Sequence, residues 1–301
     1  MSVVNRLLVA GLRVVPKPVV GLVAKRYVAG ETLDDAVATV KRLQEEGACA
    51  TLDVLGEEVI RPERAEAARD LYLQVLEAIE THKLDASISV KPTQMGLDFD
   101  ADLCRRIYEQ LVERAAAQQN YVRIDMEDHT VTTATLDLYN HLYQRYGGQH
   151  VGAVLQGYMR RTLDDIAALP TEHGNIRLCK GIYIEPRHVA FKDYETVRLN
   201  FIAALQALFA KGVFVGIATH DEYLICAAID LIHRHGLSPD RYEFQMLLGV
   251  EDELRRILIA EGHPLRVYVP FGKEWYLYSM RRLRENPQIA GHVARAVLTG
   301  K

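Results

Sequence analysis

Two groups of residues in this chain place charge where chemistry could use it. Near the C-terminus, Tyr278, Arg281, Arg282 and Glu285 fall at i, i+3, i+4 and i+7, one face of a helix, with Leu277, Met280 and Leu283 around the other side. Two adjacent guanidinium forks can grip a carboxylate, with a tyrosine one turn before them. The same spacing also describes a solvated face tied by Arg–Glu pairs worth about 0.3–0.5 kcal/mol each. Spacing alone does not choose between them. The second group centres on Arg177, set in the apolar run Ile176–Arg177–Leu178–Cys179–Lys180. A buried guanidinium is costly without a partner, so Arg177 requires either an internal carboxylate or an electron-rich ligand atom.

The elements that must position these groups follow from the period of the sequence. After Gly47 come eight short apolar, β-branched runs: Ala48–Leu55, Ala86–Lys91, Tyr121–Met126, Val151–Gln156, Asn175–Tyr183, Val213–His220, Tyr242–Gly249 and Leu265–Gly272. Helix-length stretches separate them, among them Pro62–Lys83, Asp100–Gln119, Thr132–Tyr146 and Asp193–Lys211. Strands alternating with helices indicate parallel βαβ units, and eight mostly apolar strands predict closure into a (β/α)8 barrel of the TIM type. Ahead of the barrel, helical patterns cover 3–15, 17–29 and 33–46; Thr32 is the expected N-cap of the third, with acids at 34 and 35, and Gly47 its closing C′ glycine. No Pro-, Gly- or Ser-rich linker divides the chain. The expected organisation is one domain: an N-terminal helical segment, 1–47, packed on a catalytic barrel, 48–301.

In such a barrel the active site lies at the C-terminal strand ends. Those ends supply Lys91, Asp125 with Glu127, Gln156, Arg177 with Lys180, Thr219 with His220, Gln245 and Tyr268. Any one could be an ordinary loop-facing residue; together they describe a polar mouth.

The bulk numbers narrow the classes. A net charge of −4 carries no nucleic-acid footprint, and 49% hydrophobic with 25% charged residues is ordinary for a globular protein. Cys49, Cys104, Cys179 and Cys226 form no CxxC pair and read as reduced thiols of a cytoplasmic protein. Glu127–Asp128–His129 and His220–Asp221–Glu222 look metal-like, but contiguous ligands rarely converge on one ion, so no metal site is assigned. His233 and His235 read as a surface helix end. Neither GxGxxG, GxxxxGK[ST] nor GxSxG occurs, which removes Rossmann, P-loop and serine-elbow chemistry. Residues 1–30 hold Arg6, Arg13, Lys17, Lys25 and Arg26 with no acid before Glu31. Their apolar runs are too short to span a bilayer, which leaves a pair of packed helices or a basic amphipathic segment on an anionic membrane surface. Two other classes stay open: a Schiff-base barrel lyase using Lys91 or Lys180, and a noncatalytic barrel that binds an amino acid through the arginine pair.

In order along the chain, Arg26–Thr32, Ser89–Lys91, Ile124–Glu127, Leu155–Tyr158, Ile176–Tyr183, Ala218–His220, Tyr242–Leu247 and Tyr268–Asn286 resemble the proline dehydrogenase family, particularly its short monofunctional bacterial members. The RL-x-KG-x-Y, ATH, YEFQ and Y-x-x-RRL-x-EN elements are moderate signals singly and strong ones together. The resemblance implies a distorted barrel with a C-terminal helix over its mouth, holding FAD noncovalently. It implies oxidation of L-proline to Δ1-pyrroline-5-carboxylate by hydride transfer from proline C5 to flavin N5. Arg281, Arg282 and Lys91 would bind the carboxylate; Tyr268, Tyr278, Tyr183 and Leu247 would surround the ring. Arg177 would lie beside N5, with Asp125 ordering the cationic cluster. Gln156, Lys180, Gly181, Tyr183, Thr219, His220, Gln245 and Glu285 match cofactor positions. A quinone acceptor, peripheral membrane contact and a pyrroline-5-carboxylate dehydrogenase as functional partner are implied too. Two departures stand out: Ile184 where some members carry Trp, and Asp221 where Asn is common.

Overall fold

The computed structural model describes residues 21, 24, 26–56, 59–170, 173–276 and 278–280. The expected helix over 3–15, residues 17–20, 22, 23 and 25 of that expected over 17–29, and the positions Arg281, Arg282 and Glu285 lie outside the described residues, while Gly21, Ala24, Arg26 and Tyr27 are helical.

Eight parallel strands close into a barrel in sequence order, β8 returning to β1. They are β1 (Cys49–Val54), β2 (Ala86–Val90), β3 (Val122–Ile124), β4 (Val151–Gln156), β5 (Asn175–Cys179), β6 (Phe214–Ala218), β7 (Tyr242–Leu247) and β8 (Leu265–Phe271). Helix α1 (Leu33–Glu45) precedes the barrel. The crossovers carry α2 (Pro62–Thr81), α3 (Ala101–Ala117), α4 (His129–Tyr146), α5 (Thr162–Ala168), α6 (Tyr194–Lys211), α7 (Glu222–His235) and α8 (Asp252–Ala260). Among the described residues no helix is long and apolar enough to cross a membrane.

The helix ends behave as their sequences dictate. Thr32 and Asp35 form a reciprocal capping box on α1, and Gly47 closes that helix at φ +83°. Asp100 and Asp193 cap α3 and α6 through Leu103 N and Thr196 N, each at 2.9 Å. Two boundaries differ from expectation by three residues or more. Helix α4 starts at His129 rather than Thr132, because Asp128 accepts from Thr130 N and opens the helix earlier. Strand β5 stops at Cys179 rather than running to Tyr183. Gly181 takes φ +104° there, and a Cβ on it would stand 2.2 Å from the Tyr158 ring.

Six of the eight strands, all but β4 and β6, have two faces with different chemistry. Ala50, Leu52, Ile88, Val122, Ile124, Ile176, Leu178, Val215, Ile217, Phe244, Val267 and Val269 belong to one fully buried apolar cluster with Leu76, Leu111, Leu142, Leu205 and Leu231 of the helices. The hydrophobic core therefore lies between barrel and helices. The alternate residues face the barrel axis, and there polar groups dominate: Thr51 and Asp53, Ser87 and Ser89, Arg123 and Asp125, Arg177, Glu243 and Gln245, Arg266 and Tyr268. Hydrogen bonds between strands that are not neighbours, such as Arg177 to Asp125 and Tyr268 to Asp125, cross this interior.

Candidate active site

At the C-terminal end of the strands the barrel opens into a cavity of about 280 Å³. Its lining contains Lys91, Asp125, Gln156, Arg177, Lys180, Gly181, Tyr183, His220, Gln245, Leu247, Tyr268 and Tyr278, twelve of the residues singled out from the sequence. The remaining walls are mainly apolar, with Met126, Val154, Ala218 and Met246 among them. Thr219 is not in the lining: it is buried, and its Oγ1 accepts from Asp221 N at 3.1 Å, closing a local turn instead.

Asp125 organises the centre. Its Oδ1 accepts from Ser89 Oγ at 2.6 Å and from Arg177 Nη1 at 2.7 Å, and its Oδ2 accepts from Tyr268 Oη at 3.0 Å. Arg177 also donates from Nε to Gln245 Oε1 at 2.6 Å, and its guanidinium carbon lies 5.3 Å from the centre of the Tyr268 ring. The internal carboxylate that the sequence required for Arg177 is therefore Asp125. Its Nη2 takes part in none of these bonds. Burial, then the neighbouring Asp125, pushes the Tyr268 phenol well above its usual range, so it donates to that carboxylate rather than competing with it. Below Gln245 the chain of bonds continues: Gln245 Nε2 donates to Glu243 Oε1 at 2.6 Å, and Arg266 Nε donates to the same oxygen at 2.8 Å. Burial alone would raise Glu243, but Arg266 first, then Gln245 and Arg123, together outweigh it and hold the carboxyl below its usual value.

Lys91 has its own anchor, which the sequence reading missed. Its Nζ sits 2.9 and 3.0 Å from the two carboxylate oxygens of Asp53, a residue with no solvent exposure, and Tyr72 Oη donates to Asp53 at 3.2 Å. Burial would lower the ammonium; Asp53 first, then Asp125, reverse that and push it up to about 12. A lysine held protonated in this way is a cation for binding and a poor Schiff-base nucleophile. The Cys179 thiol, pushed by burial up to about 11, is likewise protonated at neutral pH.

The rim is held by further pairs. His220 Nε2 accepts from Leu247 N at 2.9 Å, which puts the ring proton on Nδ1 and ties the ends of β6 and β7 together. Asp221 accepts from Lys180 Nζ at 3.2 Å, Arg198 Nη2 at 2.8 Å and Tyr194 Oη at 2.7 Å. These bonds, that to Arg198 largest, overcome the cost of burial and hold its carboxyl well below the usual range. Glu127, Asp128 and His129 turn to three separate partners, Thr93, Thr130 and Glu185. Among the described residues no cluster of His, Cys, Asp and Glu could hold a metal ion.

Residues 36–295 match the proline dehydrogenase family. The chain belongs to the proline dehydrogenase family. Among curated relatives, the proline dehydrogenase of Deinococcus radiodurans is 35% identical over 92% of this chain and 90% of its own length. Proline dehydrogenase 1 of Bacillus subtilis is 36% identical over 91% of this chain and 90% of its own. A crystal structure of proline utilization A from Bdellovibrio bacteriovorus, inactivated by N-propargylglycine, superposes with a TM-score of 0.81 at 21% identity, covering 88% of this chain and 32% of that one. That likeness carries the barrel fold. For the proline dehydrogenase family, a flavin is the implied redox cofactor.

Proposed function

We propose that this protein oxidises L-proline to Δ1-pyrroline-5-carboxylate, the first step of proline catabolism, with FAD held noncovalently at the barrel mouth. The observation that carries this reading is the cavity itself. Within one space of about 280 Å³ it gathers three cations, Lys91, Arg177 and Lys180, each on its own buried carboxylate, beside an apolar wall and three tyrosines. That composition suits a flavin ring: flat apolar surfaces for stacking, and a fixed guanidinium for its electron-rich edge.

A flavin bound there would supply the redox chemistry, taking two electrons from proline as hydride. The protein's part is position and charge. Lys91, Arg281 and Arg282 hold the carboxylate, while Tyr183, Leu247, Tyr268 and Tyr278 enclose the pyrrolidine ring. Arg177 fixes the flavin edge, its orientation set by Asp125 on one side and Gln245 on the other. Gln156, Lys180, Gly181, His220, Gln245 and Glu285 would contact the cofactor, whereas the Thr219 hydroxyl is taken up by the turn to Asp221. The amine reacts as the free base, since its lone pair stabilises the developing iminium.

Lys91 does not favour the lyase alternative, because its bidentate contact with Asp53 keeps it protonated. The visible spectrum of the purified protein separates the readings. Flavin absorption bleached anaerobically by proline supports the dehydrogenase; a flavin-free protein, or one whose flavin proline leaves oxidised, would remove it.

The proposed acceptor for the electrons is a membrane quinone, and a separate pyrroline-5-carboxylate dehydrogenase consumes the product. Peripheral membrane contact follows from that acceptor, with the basic segment 1–30 as its means. Co-sedimentation with anionic vesicles tests this, and equal binding by a protein lacking residues 1–30 would exclude that segment.

A further inference from the structure

Among the described residues the barrel interior contains one cation with no ion pair of its own. Arg123 is fully buried and faces the axis two residues before Asp125, about 6.6 Å deeper along β3. Its hydrogen bonds go to neutral acceptors: Nη1 to Ala153 O at 2.9 Å and Asn175 O at 2.8 Å, and Nη2 to Asn175 Oδ1 at 2.5 Å. The Tyr121 ring lies 5.3 Å from its guanidinium carbon. No carboxylate of the described residues lies within ion-pair distance. The other interior cations are all matched, Lys91 by Asp53, Arg177 by Asp125 and Arg266 by Glu243. The remaining acid, Glu127, three residues beyond the end of β3, is occupied at the mouth by the Thr93 backbone and hydroxyl.

A buried, uncompensated guanidinium is a costly way to bind three oxygens, which a neutral amide could partly satisfy. Space is not the reason either. The guanidinium fills the volume beside Gly152, where a Cβ would stand 2.4 Å from Nη1, and an uncharged side chain could fill the same space. What an uncharged side chain could not supply is the charge. At the barrel floor it is shielded from water, so its field is weakly screened. Glu243, the acid whose charge reaches it, is already bonded to Arg266, so among the described residues Arg123 is the interior cation without an ion pair of its own, and its charge adds to the positive side of the field felt at the mouth.

We infer that Arg123 is an electrostatic positioning residue whose unmatched charge, set below Arg177, makes the redox group at the barrel mouth easier to reduce. This rests on the flavin reading above. A group that accepts hydride gains negative charge, and a fixed cation beneath it favours the reduced form. Losing that cation should make two-electron reduction about tenfold less favourable, equal to roughly 30 mV for a two-electron couple.

The test is the midpoint potential of the bound flavin, titrated anaerobically against a reference dye in the wild-type protein and three variants. Asn175→Asp is the decisive one. It places a carboxylate on Arg123 Nη2 and cancels the charge while keeping every hydrogen bond that the guanidinium makes. Arg123→Gln removes the charge outright, and Arg123→Lys keeps it with fewer donors. The expected result is a fall of about tenfold in the reduction equilibrium for Asn175→Asp and Arg123→Gln, with Arg123→Lys close to wild type. An unchanged potential in Asn175→Asp would overturn the inference, and that variant decides alone if Arg123→Gln does not fold. A shift in Arg123→Lys as large as in Arg123→Gln would also overturn it, since shape rather than charge would then be at work. A wild-type protein that neither carries nor takes up flavin would overturn the proposed function and this inference together; a flavoprotein reduced by proline with an unmoved potential would overturn the inference alone.

Discussion

Replacing Asp53 by Asn tests the least visible part of the site. Asp53 has no solvent exposure, and both its oxygens lie within 3.0 Å of Lys91 Nζ. The substitution keeps the shape and leaves a buried ammonium facing an amide. Breaking a buried pair on one side costs about 3–5 kcal/mol, which for a chain of this length lowers Tm by about 5–8 °C. It also removes the largest of the influences that together outweigh burial at Lys91, so the ammonium pKa should fall from about 12. If Lys91 binds the proline carboxylate, losing one charge-assisted bond of about 1.5–3 kcal/mol should lower kcat/KM roughly 10- to 150-fold, more so as pH rises and Lys91 discharges. Thermal denaturation and steady-state kinetics should be compared across Asp53→Asn, Lys91→Met and the double variant. With both charges gone, the double variant should recover much of the lost stability while leaving kcat/KM low. Asp53→Asn with unchanged kcat/KM at every pH would refute the assignment of Lys91 to the substrate. A double variant as unstable as the sum of the singles would refute the pairing argument.

The remaining expectations are narrower. Gly181→Ala forces a side chain onto a residue at φ +104° and against the Tyr158 ring, so the loop carrying Ile182 and Tyr183 must move; flavin should be lost on gel filtration while circular dichroism stays native. Activity should rise from acidic to mildly alkaline pH as the proline amine loses its proton, and a flat profile would count against the free-base requirement. Lys91 should not limit the alkaline side: its folded pKa lies above the unfolded value of about 10.5, so its stabilisation is complete below that pH and lost only as pH rises through about 12, which pH-dependent unfolding would reveal. Arg281→Ala and Arg282→Ala should each raise KM for proline without changing Tm by more than a degree or two; unchanged KM in both would remove them from the carboxylate clamp.

Most of the fold could be read from the sequence because each strand is flanked by unambiguous punctuation. Thr32, Gly47 and the run of apolar β-branched segments mark their elements directly. The site residues that emerged were those at strand ends, where a polar side chain contrasts with an apolar run. Asp53, Ser89, Glu243 and Arg266 did not emerge, because each sits inside a strand and was averaged into an apolar reading. The signal was present at a shorter period. Thr51–Asp53, Ser87–Ser89–Lys91, Arg123–Asp125–Glu127, Glu243–Gln245 and Arg266–Tyr268 all repeat polar residues at every second position, as one face of a strand requires. Thr219 was placed at the cavity for the opposite reason. It ends a strand, but its hydroxyl serves the turn to Asp221, and sequence cannot tell those two uses of a threonine apart.

A polar interior in a barrel of this kind asks what keeps it in one arrangement, since branched apolar residues usually fill that space. The answer lies in the order of the bonds. Arg177 is held from one side by Asp125 and from the other by Gln245; Gln245 is held by Glu243, Glu243 by Arg266, and Arg266 Nη1 donates to the carbonyl of Ala50 at 2.6 Å. Gln245 and Arg266 meet on the one oxygen Oε1 of Glu243, so a rotation at any of the three leaves a buried donor unmet. Gly216 shows how closely this is fitted, because a Cβ there would stand 2.3 Å from Gln245 Nε2. The guanidinium at the mouth is therefore aimed by residues that reach the barrel floor. Substitutions at Glu243 or Arg266, neither of which lines the cavity, should act on the same atom as substitutions at Gln245 and so combine non-additively with them.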